Sequence, residues 1–338
     1  MYVLVTGGAG YVGANVVRSL IDAGHRVCVV DDLSSGHRTA VPAGVELIVG
    51  SCGDRAVLDA VPQQPDGVMH MAAKCSVAES MQHPRSYYDV NLGQSVSLLD
   101  WIIDRSVGWI IHSSTAAVYG TPERMPIDES TAAQPVNAYG ATKLAVDRAI
   151  RYYGSAYGLR GVSLRYFNAA GARSDGSLGE DKNPASNLIP NVLAVASGKS
   201  DRLEIYGNDY QSVDGTAVRD YVHVVDLAAA HLAAMQRLAS TDGTAVYNLG
   251  TETGSTVMQV VEAARQVTDH PIPVRAAASR PGDPPALIAS AARAREELGW
   301  VPVRSDLTTM LRDAWAWHRS HPNGYAASAT PPTRRSSE

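Results

Sequence analysis

Along the first half of the chain, short runs of apolar, β-branched residues alternate with stretches whose apolar positions recur at helical spacing. The runs are "YVLVT" (2–6), "RVCVVDD" (26–32), "VELIVG" (45–50), "GVMHMAA" (67–73), "GWIIHSS" (108–114) and "GVSLRYF" (161–167), and the helical stretches fall near 11–23, 86–105 and 139–157. Strands that are apolar throughout are covered on both faces, and helices between them supply the crossovers that a parallel sheet needs. The pattern predicts an α/β fold, a Rossmann-type doubly wound parallel sheet over residues 1–172. After Gly171 the chain turns polar and rich in Gly and Pro, with helical patterns near 187–198, 226–239, 256–267, 291–298 and 306–319. These predict a smaller C-terminal α/β substrate-binding lobe over 173–322. Two strand-like segments inside it, "RDYVHV" (219–224) and "AVYNLG" (245–250), are candidates to return to the main sheet. The last stretch, 323–338, has little to bury and is expected to be a disordered tail.

Composition then narrows the function. A chain of 338 residues, 45% hydrophobic and 19% charged, can bury a substantial core. Its net charge is −5 and its Lys and Arg are scattered, which leaves no footprint for nucleic acid or an anionic membrane. The apolar runs are too short to span a bilayer, and a strand-like run from Tyr2 leaves no room for a signal peptide, so a cytoplasmic small-molecule protein is expected. Cys28, Cys52 and Cys75 have neither disulfide-framework nor metal-ligand spacing, so no metal is expected. Lysine occurs only at 74, 143, 182 and 199, and phenylalanine only at 167.

Chemistry concentrates at two places. "VLVTGGAGYVG" sets Gly7, Gly10 and Gly13 between the first strand and a helix, where backbone N–H groups and the helix N-terminus can take a pyrophosphate. Asp31 and Asp32 end the second strand, where a carboxylate accepts from ribose hydroxyls and repels a 2′-phosphate, which favours NAD; for Asp32 a solvated turn is the equal alternative. Further on, "HSSTAAVYG" brings Ser113, Ser114 and Thr115 to the carboxyl edge of the sheet, and "NAYGATK" puts Tyr139 and Lys143 on one helical face at i and i+4. A phenol is a poor base near neutral pH, but an adjacent ammonium and a cationic nicotinamide both favour tyrosinate.

With "LRYFNAAGA", "NLIP", "YGNDYQSVDGTAVRDYVHVVDLA", "YNLG" and "RPGD" in register with these motifs, the chain from Tyr2 to about Tyr325 resembles the extended short-chain dehydrogenase/reductase superfamily. Within it, the resemblance is to the UDP-glucose 4-epimerase (UDP-galactose 4-epimerase) family. It implies an NAD-dependent isomerase acting on a UDP-sugar, with Thr115, Tyr139 and Lys143 as the catalytic residues. It implies cofactor contacts from Gly7, Gly10, Tyr11, Val12 and Gly13, from Asp31, Asp32, Leu33, Ser34, Ser35 and Gly36, and from Ser51, Cys52, Met71, Ala72, Ala73, Asn91, Ser113 and Phe167, besides Tyr139 and Lys143. For the UDP-sugar it implies Asn168, Asn187, Leu188, Glu204, Ile205, Tyr206, Arg219, Arg280, Asp283 and Leu287, together with Thr115 and Tyr139. It also implies a homodimer across the helices near 86–105 and 139–157, with Leu98, Leu99, Ile102 and Val146 as candidate contacts, although burial inside the monomer accounts for each equally well.

Two departures from the family pattern bear on the cofactor: Ser51 stands where Asp is common, and Cys75 where Lys often is, which predicts weaker NAD retention. The resemblance implies that Leu287 stands at a position gating the sugar pocket, which predicts UDP-galactose and UDP-glucose as main substrates with some access for a 2-N-acetyl group; that Leu287 merely packs against the lobe, or that the substrate is another UDP-sugar such as a uronate, are the alternatives. A 4,6-dehydratase or a decarboxylase would carry acidic groups just after Thr115, where this chain has Ala116 and Ala117. A non-catalytic NAD-sensing module would typically lose the Tyr or the Lys, and both are present.

Overall fold

Seven parallel strands build the centre of the protein, a computed structural model that describes residues 1–182, 185–279 and 284–325. They are β1 (Tyr2–Thr6), β2 (Arg26–Asp31), β3 (Glu46–Val49), β4 (Gly67–His70), β5 (Trp109–Thr115), β6 (Arg160–Tyr166) and, at the far edge, β7 (Thr244–Leu249). The order across the sheet is β7-β6-β5-β4-β1-β2-β3, so the winding reverses between β1 and β4. That reversal opens a crevice at the carboxyl ends of the strands, where open α/β sheets take ligands. All seven residues of β5 are buried, the apolar Trp109, Ile110 and Ile111 and the polar His112, Ser113, Ser114 and Thr115 alike.

One face of the sheet is covered by helices Tyr11–Asp22 and Val224–Ser240, which pack Val16, Val17, Leu20, Leu227 and Ala234 against the strands. The other is covered by Gln94–Asp104 and Ala138–Tyr157, with Leu98, Leu99, Ile102, Val146 and Ile150. Helix Val224–Ser240, expected in the lobe, is therefore a layer of the Rossmann unit. The segment 245–250 does return to the sheet, as β7. The segment 219–224 does not: Tyr221–His223 pairs in parallel with Asn168–Ala170 in a separate two-stranded sheet.

The helical stretch expected near 86–105 is broken. A π-helical turn, Tyr88–Gly93, lies between Pro84–Tyr87 and Gln94–Asp104. The lobe has its own core, where Ile189, Val192, Leu193, Ile205, Val260, Val261, Met310 and Leu311 meet. The chain does not loosen at 323: Tyr325 donates its backbone N–H to Asp181 and its hydroxyl accepts from the Gly179 N–H, at 2.7 and 3.0 Å. The rest of the expected tail, 326–338, lies outside the described residues. Among the described residues no helix is long and apolar enough to cross a membrane.

Candidate active site

The crevice begins where β1 ends. Gly7 adopts φ +73°, and a Cβ placed on it would lie 2.5 Å from the Ala72 backbone nitrogen, just beyond β4. A Cβ on Gly13 would lie 2.0 Å from the Gly7 carbonyl oxygen. The glycines thus close the turn against Met71 and Ala72 and leave the N-terminus of Tyr11–Asp22 without a side-chain cap, its first N–H groups directed at the crevice. A dinucleotide pyrophosphate fits such a cradle. Asp31 is buried and clamps it, accepting from the Ala9 N–H at 2.9 Å and the Leu33 N–H at 2.8 Å. Burial raises its pKa above the ordinary carboxylate value, against those two bonds. Asp32 is exposed and accepts from the Ser34 N–H and hydroxyl, so it behaves as a turn residue. Ser51 accepts from the Gly53 N–H, and burial pushes the Cys52 thiol up to about 12.

Tyr139 and Lys143 come to the same crevice because of how their helix starts. Asn137 caps it by accepting the Gly140 N–H at 2.8 Å, and a Cβ on Gly140 would lie 2.3 Å from the Ala117 carbonyl oxygen. Only glycine lets the helix press this closely on the turn after β5. There the Thr115 hydroxyl hydrogen-bonds the Tyr139 phenol and accepts the Ala117 N–H at 3.1 Å. Burial raises the Tyr139 pKa above its ordinary 10, with the Tyr166 phenol adding to the effect and the bond to Thr115 opposing it. Burial also brings Lys143 down from its ordinary 10.5 to about 8, opposed first by the Asp147 carboxylate. Without a further positive charge the phenol keeps its proton near neutral pH.

Other expected contacts divide. Asn91 is buried and its side chain is spent on structure, joining Lys74 at both backbone atoms and Thr142. The Ser113 hydroxyl bonds His231 Nε2 at 3.0 Å, and the Tyr11 hydroxyl donates to the Gly171 carbonyl at 2.6 Å. Ile205 points into the lobe core and Glu204 pairs with Arg275 at 2.9 Å, whereas Tyr206 is exposed. Asn187 donates to the buried Glu180 at 2.6 Å, and burial pushes that carboxyl up to about 7. Arg219 lies opposite Leu287 in a small sheet, and Leu287 packs against the cluster that contains Phe167, Leu144 and Ala116, the residue after Thr115. Arg280 and Asp283 lie outside the described residues.

Three features escaped sequence reasoning. Lys182 Nζ stands 3.4 Å from Cys75 Sγ, so another segment supplies an ammonium at the place where Cys75 offers none. His37 Nε2 bonds the Asp181 carbonyl at 2.9 Å and its ring meets Tyr325, latching the loop after β2 to the 178–182 loop. Asp147 lies on the Tyr139 and Lys143 face at i+8, a spacing visible in the sequence.

An open sheet that binds a dinucleotide at its switch point, with a phenol, an ammonium and a hydroxyl beside it, defines the Rossmann-fold enzymes of the dehydrogenase-like class. The chain belongs to the NAD dependent epimerase/dehydratase family, whose profile matches residues 3–250. It is 46% identical to the UDP-glucose 4-epimerase of Streptococcus mutans over 96% of this chain and 99% of that one. A crystal structure of UDP-glucose 4-epimerase from Bifidobacterium longum in complex with NAD+ and UDP superposes with a TM-score of 0.92, at 37% identity over 96% of this chain and 100% of that one. The UDP-Glc/GlcNAc 4-epimerase of Campylobacter jejuni superposes with a TM-score of 0.82, at 34% identity over 94% and 99% of the two chains.

Proposed function

We propose that the protein is an NAD-dependent isomerase that inverts C4 of a UDP-hexose reversibly, with UDP-galactose and UDP-glucose as the main pair. The observation that carries this reading is the contact of Thr115 with Tyr139 one helical turn from Lys143, at the carboxyl edge of the sheet that also carries the glycine turn. When bound, NAD supplies a reversible two-electron acceptor for C4. The chain's own groups handle the proton and the geometry. Thr115 holds the 4-hydroxyl oxygen while Tyr139, made more acidic by the Lys143 ammonium and the cofactor's positive charge, removes its proton. Arg219 and the lobe hold the diphosphate while the resulting 4-keto sugar presents its other face. Tyr139 then returns the proton to the same oxygen, and no net oxidation remains.

Elimination or decarboxylation needs a second proton carrier beside Thr115, and Ala116 and Ala117 cannot be one. Incubation with UDP-galactose and NMR of the product tests the reading: UDP-glucose supports it, and a 6-deoxy-4-keto sugar or no turnover contradicts it. The position of Leu287 beside Phe167 and Arg219 supports measurable activity on UDP-N-acetylglucosamine.

We also infer a homodimer, but not through the four residues expected. Leu98, Leu99, Ile102 and Val146 are all buried inside the monomer. Tyr152 and Tyr157, each 63% exposed on the catalytic helix, are the apolar groups this face offers a second copy. A monomeric mass by light scattering at micromolar concentration contradicts the dimer. A cytoplasmic location fits three free thiols.

A further inference from the structure

Tyr139, Lys143 and Asp147 recur every four residues on the catalytic helix and so share one face. Asp147 is buried, and its Oδ2 accepts from Arg165 Nε at 2.9 Å and from the Ser114 hydroxyl at 3.1 Å. Ser114 and Arg165 lie directly opposite each other on β5 and β6, so the sheet itself fixes the carboxylate. Behind them the support continues: Arg165 Nη1 donates to the Tyr119 hydroxyl at 2.9 Å, and that hydroxyl donates to Asn248 Oδ1 at 2.7 Å. Asn248 in turn donates to the Ile127 carbonyl at 2.9 Å. The second carboxylate oxygen, Oδ1, has no hydrogen-bond partner among the described residues and stands 3.9 Å from His112 Nε2.

Among the described groups that act on Lys143, the Asp147 carboxylate opposes the effect of burial most strongly. His70 and His112 are held neutral by burial, His70 down to about 3 and His112 well below its ordinary value. Cys52 keeps its proton, pushed up to about 12 by burial. We propose that Asp147 is a positioning residue for the reaction: anchored to the sheet by Arg165 and Ser114 one helical turn beyond Lys143, its carboxylate favours the ammonium form of Lys143 beside Tyr139. The inference rests on the reading of Tyr139 and Lys143 as the catalytic pair. An ion pair that only ties the helix to the sheet would stabilise the fold and leave the chemistry of Lys143 unchanged.

The scarcity of lysine makes the test direct, because lysine labelled with 13C at Cε gives four signals, and the one lost in Lys143→Arg is Lys143. In the full-length protein that signal titrates near 8. Asp147→Asn lowers the midpoint by about one unit, and Asp147→Glu returns it. The alkaline limb of kcat moves with it, so turnover at pH 8 falls roughly fivefold in Asp147→Asn. If that variant fails to fold because Arg165 is left unpaired, Asp147→Asn/Arg165→Met removes both charges and shifts the midpoint in the same direction. An unchanged midpoint in a folded variant overturns the proposal, as does a shifted midpoint with an unmoved kcat limb. Full turnover in Lys143→Met would instead remove the catalytic pair on which it rests.

Discussion

Gly7→Ala should separate the shape of the cofactor cradle from simple backbone cost. Gly7 sits at φ +73°, where any L side chain costs about 1–2 kcal/mol. Its new Cβ would also lie 2.5 and 2.7 Å from the backbone N and Cα of Ala72 and 2.8 Å from the Met71 carbonyl carbon. Backbone just beyond the end of β4 cannot swing aside like a side chain, so this overpacking adds about 1–3 kcal/mol. The sum is about 2–5 kcal/mol, or several degrees of Tm in a chain of this length. Gly24 is the internal control. It has φ +79° with nothing within 4 Å of its Cβ, so Gly24→Ala carries only the backbone part. Thermal unfolding of both variants gives the difference, and NAD titration should show a loss of affinity for Gly7→Ala alone. Equal destabilisation of the two, or wild-type NAD affinity in Gly7→Ala, would refute the argument that β1 and β4 meet too closely at the switch point for any residue but glycine.

Tyr139→Phe keeps the ring and its packing but removes the proton carrier; circular dichroism and NAD binding should stay near wild type while turnover falls by about two or more orders of magnitude. Leu287→Tyr should lower kcat/KM for UDP-N-acetylglucosamine relative to UDP-galactose, and an unchanged ratio would show that Leu287 does not gate the pocket. NAD retention should depend on Lys182, whose ammonium reaches Cys75: Lys182→Met should lose bound NAD on dialysis faster than wild type, and equal retention would count against that contact.

The parallel sheet was readable because its central strands β1, β2 and β4 are largely buried and mostly apolar, and β7 was readable even though 77 positions separate Thr244 from Phe167. Segment 219–224 misled for the same reason, since a short apolar run looks alike in the main sheet and in a two-stranded one. Core and interface use the same residues, which is why Leu98, Leu99, Ile102 and Val146 could not be assigned from periodicity. The glycine cradle and the Tyr139–Lys143 pair were visible because both depend on local spacing. The His37–Asp181–Tyr325 latch and the Arg165 anchor of Asp147 were not, because they join positions brought together only by the fold. The π-helical turn hid inside an ordinary helical pattern; its Asn91 carbonyl accepts the Ser95 hydroxyl at 2.5 Å, and no sequence period announces that.

The central claim is that hydrogen on C4 leaves and returns within one active site while Tyr139 moves only the hydroxyl proton. Incubating wild-type protein with UDP-galactose in D2O and recording the 1H NMR spectrum of the product tests it directly. The expected product is UDP-glucose that retains its protium at C4; deuterium at C4, or no inverted product, would contradict this mechanism.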